Sequence, residues 1–571
     1  MTSHIFNTII IFALAIFLLM VIPVKLYPYG VEPIYTKNGM VVSTNEIANK
    51  VGMEILKKGG NAVDAAVAVG FALAVVHPVA GNIGGGGFML IRDSKSGKVY
   101  ALDFRETAPA AARQDMYLKP DGNADSDASR IGYLATGVPG TVRGFDEAHK
   151  KFGLLEWADL LEPAVKLAEN GFNLTYQQAQ SLNTCKNDFE RFPASRIFLC
   201  PSGRDWQLND ILVQKDLAGT LKRIAQKGPD EFYIGETAEK ISKMIREGGG
   251  IITPDDLASY KAIWREPLKG DYEGNTIYGV PLPSSGTAVL LETLNILKNY
   301  PLKEYGLLST DYLHIFTEAL RRSFKDRSLY MGDSDYVKVP LEELLSEEYA
   351  KKLTVSIMID KASDSKALEE GIQPQRESEN TTHYAVADKW GNIVCVTYTL
   401  NSSYGSKAVA GDTGVLLNNE MDDFCMKPGS PNQYGLIESK ANAISPGKRM
   451  LSSMTPLIII KDGEYYLTIG SPGGPTIISS VLQTFLNIVV FDMNIQEAVN
   501  APRIHHQWLP DEILMEKYGF APEVKKQLQA RGHILKEWKY IGDVQVIRYL
   551  LESGLFQGAS DPRMEGRPAG Y

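Results

Sequence analysis

The sequence predicts an α+β fold, and three observations carry that prediction. Helical periodicity dominates residues 133–349, broken by Gly and Pro at Gly171, Pro229, 248–250 and 281–286. Runs rich in β-branched and aromatic residues follow at 382–386, 393–400, 457–460 and 465–469. No Pro-rich, Ser-rich or like-charge linker separates the two portions. One body is therefore expected, although 571 residues would by length alone allow several domains of roughly 150 residues.

The first thirty residues differ from the rest. Residues 9–22 are an unbroken apolar run ending at Pro23, long enough for a signal-peptide core and, with Ile5 and Phe6, marginal for a membrane span. Residues 1–30 are thus expected to be a signal peptide or an N-terminal membrane anchor. The protein would be exported to the periplasm or outside the cell, either free or held through residues 5–24. The leader carries His4 rather than Lys or Arg, and no A-x-A site precedes Lys25.

Beyond it, Asn61 follows Gly59 and Gly60 and is placed to cap a helix over 62–76 that is apolar on nearly every face, and so buried. Pro78 closes it. A glycine run at 84–87 then leads into the apolar stretch 88–91, a turn at 93–97 and a second strand over 98–105, the pattern of a hairpin. The glycines are not a phosphate loop, because neither Gly97-Lys98 nor Gly447-Lys448 is followed by Ser or Thr. Close backbone packing is the expectation.

Composition narrows the function. With 44% hydrophobic and 22% charged residues the chain can bury a large core. Its 59 Lys and Arg against 68 Asp and Glu give a net charge of −9, which argues against a nucleic-acid partner. Four cysteines are too few for a disulfide scaffold in so long a chain. Cys185 and Cys200 flank a polar segment that a disulfide would close, while Cys395 and Cys425 sit in apolar surroundings and read as core thiols. Neither pair has metal-site spacing, and no cofactor or metal is expected.

A second hairpin carries the chemistry. Residues 381–387 and 393–400 are strand-like and flank Asp388-Lys389-Trp390-Gly391-Asn392. A register centred on Trp390 sets Thr381 opposite Thr399, with cross-strand Cβ atoms about 5 Å apart. Taken alone, two facing threonines are ordinary strand residues.

The wider pattern gives them more weight. Asn380-Thr381-Thr382-His383-Tyr384, Thr397-Tyr398-Thr399-Leu400-Asn401, the stretch from Leu416 through Asn419-Glu420-Met421-Asp422-Asp423 to Phe424, Leu451-Ser452-Ser453-Met454 and Gly470-Ser471-Pro472-Gly473-Gly474 together resemble the γ-glutamyltranspeptidase family. So do Asn61-Ala62-Val63-Asp64, Asp103-Phe104-Arg105-Glu106 and Ser560-Asp561-Pro562-Arg563. The likeness spans nearly everything after residue 35, in one chain order.

That resemblance implies an N-terminal-nucleophile hydrolase: a four-layer αββα sandwich whose precursor cuts itself between Asn380 and Thr381. A large subunit, 31–380, and a small subunit, 381–571, would remain together as a heterodimer. It implies that Thr381 attacks the γ-glutamyl amide of glutathione or its conjugates, its own freed α-amine serving as base. Thr399 would position the amine and hydroxyl, and the N–H groups of Gly473 and Gly474 would hold the oxyanion. A γ-glutamyl ester would pass to water or to an acceptor amine. Arg105, Ser452 and Ser453 would hold the glutamyl carboxylate, and Asn401, Glu420 and Asp423 its ammonium. Tyr434 falls where many bacterial members carry a lid loop.

Plain readings stand beside these. Arg105 shares strand parity with Asp103 and could pair with it; Glu420 and Asp423 could be surface charges. Three rival readings remain. A Ser-His-Asp hydrolase lacks a G-x-S-x-G motif, and His505 and His506 are adjacent. A cephalosporin acylase would share the nucleophile without needing an ammonium-binding acid. An uncleaved exported binding protein would keep the fold and lose the chemistry.

Overall fold

In the computed structural model, which describes residues 31–368, 381–427 and 439–571, the hairpin expected around Trp390 is the middle of a seven-stranded antiparallel sheet. The strands that build the sandwich are Ile34–Thr36 (β1), Gly39–Ser43 (β2), Gly86–Arg92 (β3), Val99–Phe104 (β4), Ile263–Arg265 (β5), Leu268–Tyr272 (β6), Asn275–Gly279 (β7), Thr382–Asp388 (β8), Ile393–Thr399 (β9), Leu457–Lys461 (β10), Glu464–Gly470 (β11), Gln545–Leu550 (β12), Leu555–Ser560 (β13) and Ala569–Gly570 (β14). One sheet runs β14-β2-β8-β9-β3-β4-β5, the other β1-β13-β12-β11-β10-β7-β6. The apolar run at 9–22, the bond at Asn380 and Tyr434 lie outside the described residues. Among those described, no helix is long and apolar enough to cross a membrane.

The β8–β9 register is the one read from sequence: Thr382 pairs with Tyr398 and Ala387 with Ile393. Its lock is Asp388, which continues the strand instead of opening the loop. The Asp388 carboxylate accepts from the N–H groups of Trp390 and Asn392 and from the Asn392 amide. It also accepts from the N–H of Ala62 at 2.9 Å, tying the turn to the start of the next layer. That layer is headed by the helix Ala62–Val76 (α2), which follows Glu46–Lys57 (α1). Asn61 and Asp64 form its capping box, and every residue of α2 is buried.

Alternation along the strands assigns the layers. Tyr384, Val386, Val394, Val396 and Tyr398 pack with α2 and with Thr141–Phe152 (α3). Ala385, Ala387, Ile393 and Cys395 face the second sheet and pack on Leu457, Leu467 and Ile469. Gly286–Leu297 (α4), Thr310–Tyr330 (α5) and Thr476–Val489 (α6) cover that sheet's outer face. The result is the four-layer αββα sandwich. Each fully buried Val, Leu, Ile or Phe contributes about 1.5–3 kcal/mol, so these two apolar layers dominate the packing energy.

Glycines in the 84–87 run let the chain pass close to its neighbours. A Cβ on Gly85 would lie 2.0 Å from the Thr399 carbonyl oxygen, so the run supports the end of β9 and not a phosphate. The four cysteines are free thiols; Cys395 and Cys425 are buried, as their surroundings implied.

Candidate active site

Several strand ends converge on one end of the sandwich. Thr381 immediately precedes β8, Thr399 ends β9, and Arg105 follows β4. Ser452 and Ser453 precede β10, while Gly473 and Gly474 lie between β11 and α6. Extending the observed pairing by one residue sets Thr381 across from Thr399, on the face that looks between the sheets.

A small pocket, with a cavity volume of about 30 Å³, opens there. Of the residues predicted from sequence, Arg105, Thr381, Thr399, Asn401, Asp423, Ser452, Ser453 and Gly474 line it. Glu420 does not; it stands behind Arg105. Gly473 lines a larger adjoining cleft of about 710 Å³, together with Tyr404, Pro472 and Tyr540. Thr381 borders both spaces.

Arg105 is the electrostatic centre of the pocket. It is 1% exposed and its guanidinium meets three acids: Asp423 at 2.6 Å, Glu420 at 2.7 Å and Glu106 at 3.6 Å. Only its backbone N–H goes to Asp103, whose carboxylate takes Arg265 instead. The plain readings of these residues therefore give way: Arg105 is neither solvated nor paired with Asp103, and Glu420 is buried. Three carboxylates around one cation in a dry site cannot all ionise cheaply. Burial pushes Glu106 up to about 8 and raises Glu420 well above the carboxylate range, against the pull of Arg105. Asp423 is raised as well, by burial, with Arg105 opposing. Both Glu106 oxygens, Oε1 of Glu420 and Oδ1 of Asp423 lack a hydrogen-bond donor among the described residues. Such a cluster retains capacity for a cationic ligand group.

The threonines and glycines are held from behind. Thr399 Oγ1 accepts the N–H of Asn401 at 2.8 Å, and its carbonyl accepts Asn82 Nδ2 at 2.9 Å. Asn401 adopts φ 76°, a left-handed conformation that Asn tolerates better than most residues, and donates to the Asn419 carbonyl. Gly473 and Gly474 have φ 131° and 52°; a Cβ on Gly473 would sit 2.5 Å from Thr476 Oγ1. Among the described residues neither of their N–H groups has a backbone acceptor, leaving both donors for a ligand.

Two side chains of the site went unassigned from sequence. Glu106 was visible in its motif without a role. Arg327, 1% exposed on α5, lines the pocket; nothing in Asp326-Arg327-Ser328 separates it from any helical arginine. The serine-hydrolase rival meets a specific obstacle. His505 does lie 2.9 Å from Ser479, but its other nitrogen meets the neutral amide of Gln507 and Ser479 is fully buried. His314, Glu318 and His533 have metal-ligand proximity, yet Glu318 already bridges Arg321 and Arg322, two cations that oppose a third.

The chain is 49% identical to the glutathione hydrolase proenzyme of Escherichia coli (strain K12), over 95% of this chain and 94% of that protein. In structure it is similar to a cephalosporin acylase from Bacillus halodurans, with TM-score 0.84 and 28% identity over 96% of this chain and 98% of that one. It is also similar to the γ-glutamyltranspeptidase of Helicobacter pylori, with TM-score 0.57 and 43% identity over 60% of this chain and 99% of that chain. A sequence profile of the γ-glutamyltranspeptidase family matches residues 48–571, and this chain belongs to the γ-glutamyltranspeptidase family.

Proposed function

We propose that the chain is a self-processing γ-glutamyltransferase and glutathione hydrolase whose nucleophile is Thr381. The observation that carries the reading is position: Thr381 stands where a small pocket holding Arg105 and Asp423 meets a larger cleft. The γ-glutamyl head would enter the first, toward Arg105 and Asp423, and the rest of the donor would extend into the second. Scission of the Asn380–Thr381 bond adds water across it, giving a carboxylate on Asn380 and an α-amine on Thr381. An α-amine with an ordinary pKa near 8 serves as base close to neutrality. It takes the Thr381 hydroxyl proton as Oγ bonds to the γ-carbonyl carbon. The C–N bond then breaks, the proton leaves with the amine, and a γ-glutamyl ester remains. Water or an acceptor amine attacks that ester and restores the hydroxyl.

Gly473 and Gly474 would stabilise the tetrahedral oxyanion through their N–H groups. Both sheets interleave strands from before and after residue 380, so the fragments 31–380 and 381–571 would stay joined by sheet hydrogen bonds after the cut. The E. coli relative is itself described as a proenzyme. Export through the leader, and closure of the site by Tyr434, complete the reading.

The acylase alternative draws on the Bacillus halodurans likeness. It differs in needing no acid for a substrate ammonium, and Asp423 on the pocket wall favours a glutamyl donor. Chromogenic γ-glutamyl and glutaryl anilides separate the two. Faster release from the γ-glutamyl compound is expected; faster release from the glutaryl compound would favour the acylase.

A further inference from the structure

One wall of the larger cleft carries a buried carboxyl. In the β11–β12 pairing Gly470 faces Gln545, so Gly542 and Asp543, just ahead of β12, run beside the 471–474 loop. Ser471 joins the two segments: its Oγ accepts the Asp543 N–H at 3.0 Å and donates to the Pro472 carbonyl at 2.7 Å. The approach is close, since a Cβ on Gly473 would lie 3.6 Å from Gly542 Cα. Asp543 and Gly473 thus border the same cleft, onto which Thr381 also opens.

The two oxygens of Asp543, a residue 1% exposed, differ. Oδ1 accepts Gln545 Nε2 at 3.0 Å, whereas Oδ2 has no hydrogen-bond partner among the described residues. The arginines whose fields reach it are engaged elsewhere: Arg503 with Asp561 at 2.7 Å, and Arg563 with Glu516 at 2.6 Å and Asp561 at 3.0 Å. A buried carboxyl with a second acid nearby and no cation of its own keeps its proton. Burial accordingly raises Asp543 well above the carboxylate range, Asp561 adding to the effect and Arg503 opposing it. With Oδ1 acting as the carbonyl oxygen, the proton sits on Oδ2 as a hydroxyl donor that meets no protein acceptor. An unmet buried donor is costly, and a ligand oxygen in the cleft would relieve it.

Building on the glutamyl-donor reading above, in which the leaving amine occupies this cleft, we propose that Asp543 is a specificity-determining residue for the amine side of the substrate. Its Oδ2 donates a hydrogen bond to a carbonyl oxygen borne by the leaving amine, as in a peptide or an amino-acid amide. Two donors isolate the contact: γ-glutamylglycinamide, whose leaving amine carries a carbonyl, and γ-glutamylethylamide, whose leaving amine carries none. In Asp543→Leu, close in shape but without a donor, we expect KM for the glycinamide compound to rise about five- to tenfold. KM for the ethylamide compound should stay at its wild-type value. Asp543→Asn, whose amide donates from the same place, should keep both values within about twofold of wild type. A residue serving the fold alone would shift both donors together. If Asp543→Leu does not self-cleave, Asp543→Ala, which adds no bulk, takes its place with the same selective rise expected. Equal rises on both donors, no rise on the glycinamide compound, or a selective rise in Asp543→Asn as large as that in Asp543→Leu would overturn the proposal. A wild-type protein inert toward both donors would instead overturn the glutamyl-donor reading on which it rests.

Discussion

Nη2 of Arg105 lies 2.6 Å from Oδ2 of Asp423. The two residues expected at opposite ends of a zwitterionic substrate are thus already paired on the pocket wall. A buried pair of this kind fixes the polarity of the site before ligand arrives, so a glutamyl head has one favourable orientation. Removing one partner leaves the other charge uncompensated, at a cost of about 2–5 kcal/mol. Asp423→Asn should therefore lower kcat/KM for a γ-glutamyl anilide by at least about 30-fold, mostly through KM. The loss should be smaller for a glutaryl anilide, which has no ammonium. Equal losses on both would show that Asp423 serves the fold alone.

Gly473 is held at φ 131°, with no room for a Cβ beside Thr476. If Gly473 holds the oxyanion as proposed, Gly473→Ala should displace that donor and cut kcat by about 10²-fold or more, with KM changed little. A rate near wild type, measured on fully processed protein, would remove Gly473 from that role.

Thr399 holds the N–H of Asn401 on its hydroxyl. Thr399→Val keeps the shape and loses the acceptor, so it should slow both self-cleavage and turnover, while Thr399→Ser should retain them. Following precursor and fragments on a denaturing gel checks the first effect, and anilide release the second.

Two buried groups should tilt stability with pH in opposite senses. His505 is pushed down to about 3 by burial. Its contribution is complete above the ordinary value near 6.5 and is lost as pH falls below it, since the unfolded chain then takes up a proton that the folded chain refuses. Glu106 is pushed up to about 8 by burial. Its contribution is complete below its ordinary value near 4.5 and is lost as pH rises toward 8. Each group changes the slope of stability by about 1.4 kcal/mol per pH unit within its window. Urea midpoints from pH 4.5 to 8 should show a shallower acid-side loss for His505→Gln and less loss toward pH 8 for Glu106→Gln. Parallel profiles for wild type and both variants would contradict this.

Legibility in the sequence followed how local the determinants are. The β8–β9 register could be read because Asp388, Gly391 and Asn392 set it within a few residues, and α2 because Asn61 and Asp64 cap it locally. The glycine run was legible as close packing for the same reason, since no side chain would fit beside Thr399. Arg105, Asp423, Ser452 and Ser453 were found through motifs, but not that Arg105 would gather Glu106, Glu420 and Asp423. That arrangement joins β4 to a segment more than 300 residues away, and such pairing leaves no local pattern. Arg327 leaves no trace in the sequence because its place on the pocket wall depends on α5 lying behind the 452–453 loop.

The central claim is that Thr381 becomes an N-terminal nucleophile when the Asn380 bond breaks. Intact-mass measurement of the purified protein, before and after incubation, tests it most directly. Wild type should resolve into two polypeptides, the smaller matching residues 381–571 with Thr381 at its start, while Thr381→Ala should remain one chain that releases no chromophore from a γ-glutamyl anilide. A single uncleaved wild-type chain that still turns over the anilide, or Thr381→Ala cleaved and active like wild type, would contradict the account.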